Sequence, residues 1–301
     1  VGAKGSTTRD EDFMVNMFVA TMHNTILFFT ENGKCFWLKV YQIPEGARAT
    51  KGRAIQNLIN IEKEDTVKTF VNVKNLKDND YINNNYIVLA TKKGVIKKTR
   101  LEAYSRPRQN GINAILVREG DTLLDARLTD GDQELMLAVR SGKAIRFHEN
   151  TVRAVGRTAS DVKGVTLGSP KDEVVGIVCA RPGEKDILVV SENGFGKRSV
   201  LEDYRFTNRG GKGVKTINIT EKTGNLIAIK AVTDDDDLMI IIEHGIAIRL
   251  AVRGVRVMGR NTQGVRLINL RDGDQIAAAT QVPSQQENED ENKSDTDTVE
   301  E

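Results

Sequence analysis

A chain of 301 residues with 39% hydrophobic and 29% charged content has room for one large repeat-built domain or two ordinary ones, and no apolar run approaches the ~20 residues that span a bilayer. Its two cysteines, Cys35 and Cys179, lie far apart, which excludes a disulfide scaffold and a cysteine metal pair and reads as two reduced thiols. The net charge of +2 conceals a division, because residues 285–301 carry eight acids and one Lys, hence −7, and leave +9 on the rest. A basic body with an acidic tail suits a polyanion binder with an attached competitor, or a tail that serves solubility alone.

In chain order, Val1-Gly2-Ala3-Lys4-Gly5 has neither an initiator Met nor a signal-peptide pattern, so the chain reads as a piece of something longer. The acidic turn and apolar strand of DEDFMVNMFVA follow. A unit then recurs: FFTENGKCFWLKVYQIP (28–44), LATKKGVIKKTRLEAY (89–104), LAVRSGKAIRFHENTV (137–152), VVSENGFGKRSVLEDY (189–204) and IIIEHGIAIRLAVRGV (240–255). Each is an apolar strand, a polar turn with Gly, and a strand mixing basic and apolar residues. The turn glycines, Gly33, Gly94, Gly142, Gly194 and Gly245, are spaced by 61, 48, 52 and 51 residues.

Behind each hairpin comes a basic loop with a second glycine: Gly52, Gly111, Gly164, Gly213 and Gly264. An acidic turn and a further apolar strand close the unit, as in EGDTLLDARL (119–128) and PKDEVVGIVCA (170–180). Four short strands per unit of about fifty residues predict an all-β, propeller-like fold with four-stranded blades. Because Gly2–Gly5 matches the second signal, the chain opens halfway through a repeat. The expectation is a six-bladed ring or open spiral with its first blade incomplete. Residues 1–283 form the domain, with repeats at about 17–76, 86–132, 134–185, 186–236 and 237–282, with 1–16 the end of a further blade, and with 284–301 a disordered acidic tail.

The positive charge concentrates in the loops before the second glycines: Lys4; Arg48, Lys51 and Arg53; Arg106 and Arg108; Arg153, Arg157 and Lys163; Arg205, Arg209, Lys212 and Lys215; Arg253, Arg256 and Arg260. A repeated unit places equivalent loops on one rim, so these cations form a belt suited to a curved phosphate backbone. Glycines there let backbone N–H groups approach phosphate. Aromatic residues, 5% of the chain, do not interleave with the basic loops, which favours duplex contacts through the backbone over base stacking and predicts weak sequence preference.

Other chemistry is not indicated. Gly210–Thr216 departs from a phosphate-loop motif because Val214 precedes Lys215-Thr216. His23, His148 and His244 lack metal spacing, Asp234–Asp237 reads as a solvated turn before an Mg²⁺ site, and Tyr104 and Tyr204 occupy equivalent packing positions.

FTNRGGKGVKT (206–216) resembles the box of DNA gyrase A, Gln-Arg-Arg-Gly-Gly-Lys-Gly, matched here at Arg209, Gly210, Gly211, Lys212 and Gly213, with Thr207 and Asn208 in place of Gln and the first Arg. ENGFGKRSVLEDY (192–204), GDQELMLAVRSGKAIRF (131–147) and GRNTQGVRLI (259–268) are similar to the same family, and the resemblance runs from about Val1 to Val282. The family's box lies in its first blade, whereas this match lies in a later one. The resemblance implies a β-pinwheel, in which blades exchange strands, that wraps double-stranded DNA with positive handedness for ATP-dependent negative supercoiling. It further implies no catalytic residue and no cofactor in this chain, with ATP and Mg²⁺ used elsewhere in the holoenzyme. The implied partners are the N-terminal breakage-reunion domain and the gyrase B subunit in an A2B2 assembly, without a membrane, in the bacterial cytoplasm at the nucleoid. Two alternatives stay open: the C-terminal domain of the related topoisomerase IV protein, and a propeller scaffold for proteins.

Overall fold

The computed structural model describes residues 20–46 and 51–282. The first repeat holds β1 (Thr25–Thr30), β2 (Lys34–Lys39) and β3 (Val67–Val73). A short helix, α1 (Asn79–Asn84), follows. The second repeat holds β4 (Tyr86–Thr91), β5 (Val95–Arg100), β6 (Ile112–Asn113) and β7 (Leu123–Thr129). The third holds β8 (Glu134–Val139), β9 (Lys143–His148), β10 (Val162–Lys163) and β11 (Val174–Ala180). The fourth holds β12 (Asp186–Ser191), β13 (Phe195–Val200), β14 (Val214–Lys215) and β15 (Leu226–Val232). The fifth holds β16 (Asp237–Ile242), β17 (Ala247–Ala251), β18 (Val265–Arg266) and β19 (Ile276–Val282).

The sheets are β3-β1-β2-β6, β10-β5-β4-β7, β11-β8-β9-β14, β15-β12-β13-β18 and the three-stranded β17-β16-β19. The described residues therefore build five blades, which corrects the expected six; the leading half-repeat and the tail lie outside them. Where a blade has a fourth strand, that strand comes from the next repeat. Each two-residue strand from a basic loop pairs with the hairpin of the preceding repeat, as Val214↔Ala144 and Lys215↔Lys143 do. Consecutive blades are thus stitched, as the pinwheel resemblance implied. The helix is a further departure from an all-β reading. The 61-residue first spacing accommodates it, and Asp78 caps it by accepting from the N–H groups of Asp80 and Tyr81.

The first strands of the second, third and fourth hairpins are apolar on both faces because each lies between two neighbouring blades, whereas Ile26 and Phe28 of β1 are covered by Phe36, Leu38 and Ile59 of their own repeat. Every residue of β1 (TILFFT) and β8 (ELMLAV) is buried. Alternate residues serve successive interfaces: Ile87 and Leu89 pack with Leu27 and Phe29, while Val88 and Ala90 pack with Leu135 and Leu137. Tyr104 and Tyr204 are fully buried in these interfaces. The acidic turn also has a local cause. Asp65, Asp121 and Asp172 each accept from the hairpin-turn N–H of Asn32, Lys93 or Ser141 at 3.0–3.2 Å.

Candidate nucleic-acid interface

Five cations of the second hairpin strands never reach the surface. Lys97, Lys98, Arg146, Lys197 and Arg198 are buried. Each points into the following repeat. Lys98 Nζ donates to Glu149 O at 3.0 Å, Arg146 Nη1 to Leu201 O and Tyr204 O at 3.2 and 3.0 Å, and Arg198 Nη1 to Val252 O at 3.4 Å. Trp37 Nε1 makes the same contact with Tyr104 O, at 2.9 Å, in the first blade. In the fifth blade Arg249 stands at this position and is 59% exposed, paired with Asp237. One position further back, Lys197 Nζ is ringed by Gly259 O, Arg260 O and Thr262 O at 2.6–2.9 Å. Lys97 Nζ likewise donates to Arg157 O. Burial, then Arg260, pushes the Lys197 ammonium down to about 8. Burial also lowers Lys97, with Asp161 opposing and Arg157 reinforcing the shift.

These buried cations fix the basic loops from beneath. Arg106, Arg108, Arg153, Arg205 and Arg256 are exposed. Among the described residues none of the five is engaged in an ion pair. Arg106 and Arg108 meet Arg157 from the next repeat around a cleft of about 360 Å³. Lys51, Arg53, Lys163, Lys212 and Lys215 are also exposed. Lys4 and Arg48 lie outside the described residues.

Arg157, Arg209 and Arg260 are different. Each is half-buried and reaches back to the exchanged strand of the preceding loop. Their Nη1 atoms donate to Asn113 O, Lys163 O and Lys215 O at 2.9, 3.1 and 2.9 Å. The box-like stretch is therefore a brace. Arg209 also donates to Thr151 O, and the Gly210 N–H is committed to Gly164 O at 2.7 Å. Gly213 has φ +75°, and a methyl group there would collide with the Ala144 carbonyl. The glycines of this stretch serve close strand approach; Gly211 and Lys212 remain exposed.

The repeat register of the second glycines needs one correction. Gly111, Gly213 and Gly264 have positive φ and precede the exchanged strands, whereas Gly164 follows β10 and Asp161 holds the turn position. Two features escaped the sequence reading. Arg266 ends β18 in register with Lys163 and Lys215, and stands over the Phe195 ring at 5.1 Å. Phe206 is 53% exposed between Arg205 and Arg209, so an aromatic residue does interleave with a basic loop. Alignment of the Arg205-Phe206 and Arg256-Val257 pairs would have found it.

The Asp234–Asp237 run is consumed by protein partners. Asp234 takes Arg198, Asp236 takes the Thr233 N–H and Gln281, and Asp237 takes Arg249. Among the described residues no cluster of three His, Cys, Asp or Glu side chains could hold a metal ion, and no helix is long and apolar enough to cross a membrane.

Stitched blades with cations exposed on successive loops define a propeller-class protein with a basic rim. The chain belongs to the family described as "DNA gyrase C-terminal domain, beta-propeller", whose model matches residues 24–83, 85–130, 133–181, 185–233 and 236–283. The DNA gyrase A protein of Staphylococcus aureus strain NCTC 8325 / PS 47 is 42% identical over 302 residues, which cover 100% of this chain and 34% of that protein. Its counterpart from strain MRSA252 is 43% identical over 293 residues, covering 96% of this chain and 32% of that one. The chain thus spans about a third of the length of these relatives. Two solved structures share the fold. The crystal structure of the C-terminal domain of DNA topoisomerase IV has a TM-score of 0.77 at 23% identity, covering 88% of this chain and 80% of that one. The structure of a DNA gyrase A C-terminal domain has a TM-score of 0.74 at 21% identity, covering 93% and 92%.

Proposed function

We propose that this chain binds and wraps duplex DNA around its basic rim, and that it does so as the C-terminal part of a bacterial gyrase A protein. The observation that carries the reading is the register of exposed Arg153, Arg205 and Arg256, each at the same point of a braced loop, with exposed Arg106 one residue further along the loop of the second repeat. Phosphates on a curved duplex recur, and so do these guanidinium groups. Wrapping of positive hand would let strand passage elsewhere in the protein introduce negative supercoils. ATP and Mg²⁺ would act there, with the breakage-reunion domain and gyrase B as partners in an A2B2 assembly in the cytoplasm. The exposed cations Lys51, Arg53, Arg108, Lys163, Lys212 and Lys215 extend the same belt, while Arg157, Arg209 and Arg260 hold it in shape and offer their remaining N–H groups. The acidic tail competes with DNA for the rim.

The test is topological. Nicked circular plasmid is incubated with the chain, ligated and freed of protein, and its linking number counted. A positive shift proportional to bound protein is expected; tight binding with no shift would overturn the wrapping reading.

A further inference from the structure

Three basic loops carry the same dipeptide at the same point, an arginine followed by an apolar residue, and both members are exposed in each: Arg153-Ala154, Arg205-Phe206 and Arg256-Val257. All three apolar residues are held by an identical device. Ala154, Phe206 and Val257 form isolated parallel bridges with Lys98, Arg146 and Arg198, the buried latch cations of the preceding blade. The following N–H groups of Val155, Thr207 and Met258 donate to the same three residues' carbonyls at 2.9 Å. The backbone beneath each apolar side chain is therefore fixed, and the side chain has no core to enter. Phe206, the largest, is 53% exposed, and Val257 is 45% exposed. Arg146, itself fastened to Glu134 at 2.6 Å, lies 5.5 Å from the Phe206 ring centroid and restrains the ring.

A large apolar side chain that is rigid, exposed and flanked by cations calls for a partner whose surface is charged at the edges and apolar between. The minor groove of bent duplex DNA offers that: phosphates on both walls, with deoxyribose and base edges within. Proteins that bend DNA insert apolar wedges there to unstack a step. We propose that Phe206, with Val257 in the next repeat, is an apolar wedge against the DNA minor groove, placing the sharpest deformation of the wrapped duplex at the fourth and fifth blades. Ala154 is too small to enter and the second repeat has Arg106 at this position, so the second and third repeats guide the backbone without unstacking it. This rests on the DNA-wrapping reading above.

The experiment compares the wild-type chain with Phe206→Ala, Phe206→Leu, Val257→Ala and Arg205→Ala. Each is measured for affinity on a plasmid-length linear duplex, salt slope, linking-number shift and thermal midpoint. Phe206→Ala is expected to weaken binding about fivefold or more, as loss of an aromatic contact to a base does. It should reduce the linking-number shift while leaving the salt slope and the midpoint unchanged, because no phosphate contact is lost. Phe206→Leu should restore most of the affinity, and Val257→Ala should show a smaller loss of the same kind. Arg205→Ala should instead lower the salt slope by ~0.9. Wild-type affinity and wrapping in both Phe206→Ala and Val257→Ala, with Arg205→Ala impaired, would overturn the wedge and leave the basic rim standing. A fall in salt slope or midpoint with Phe206→Ala would make the ring a structural prop and overturn it too. Normal binding by Arg205→Ala as well would remove the DNA reading itself.

Discussion

The buried latch makes a sharp prediction because the fold contains its own control. Arg146 holds Glu134 through Nε and Nη2 at 2.6 and 3.0 Å, and through Nη1 holds two carbonyls of the following blade. Arg249 occupies the same repeat position, but it is exposed and has a single carboxylate partner. Arg146→Ala strands a buried carboxylate and two carbonyls, which costs about 3–5 kcal/mol. Arg249→Ala removes a surface pair worth about 0.2–1 kcal/mol. The two differ by at least ~2 kcal/mol at identical chemistry. Urea titration followed by far-UV circular dichroism reads both, since a loss of 3 kcal/mol at an m-value of about 3 kcal/mol/M moves the midpoint by about 1 M. The double variant Glu134→Leu/Arg146→Met should recover much of the loss by removing both charges. Equal midpoints for Arg146→Ala and Arg249→Ala would refute the argument that these cations lock one blade to the next.

Gly213→Ala should destabilise by about 2 kcal/mol or more, since it sets a side chain at positive φ against a backbone carbonyl; Gly156→Ala, in open space, should be near neutral in the same titration. Replacing Arg106, Arg108, Arg153, Arg205 and Arg256 together by Ala should lower the salt slope of duplex binding by about 4.5, at ~0.9 for each phosphate contact; a slope unchanged within one unit would exclude the rim. The Lys197 ammonium titrates at about 8 when folded and at 10.5 when not, so between those values the unfolded chain holds more protons and stability rises with pH. The rise should be shallower in Lys197→Met than in the wild type; identical pH profiles would contradict the assigned environment. Deleting residues 285–301 should tighten DNA binding at low salt and have little effect at high salt, and unchanged affinity would remove the tail as a competitor.

The blade repeat is readable in the sequence because its two strongest requirements are local. A hairpin needs a glycine at positive φ, and a strand between two blades needs apolar residues on both faces, as YIVLAT of β4 and ELMLAV of β8 show. What resists such reading is non-local. Val214–Lys215 looks like part of its own repeat, yet it pairs with Lys143 and Ala144 some seventy residues earlier. Two residues carry no period, and only the resemblance to a strand-exchanging family anticipates the swap. The partition of cations is hidden for the same reason. Lys97 and Lys163 look alike in a string of letters, but one is buried on a carbonyl and the other is exposed.

That partition bears on how a duplex would be bent. The exposed Arg153, Arg205 and Arg256 sit on loops whose backbone is fastened three times: by a lysine or arginine from below, by an exchanged strand to the previous blade, and by Arg157, Arg209 or Arg260 to the previous loop. The spacing from one cation cluster to the next is therefore set by the interior and cannot relax toward a straight rod. Bending a few tens of base pairs costs several kcal/mol. A compliant rim would follow the DNA and leave it straight, because each loop could shift for less than that. A rim fixed by buried charge pairs, costing several kcal/mol to break, reverses the inequality, and on the proposed function a wrapped duplex would be the partner that yields.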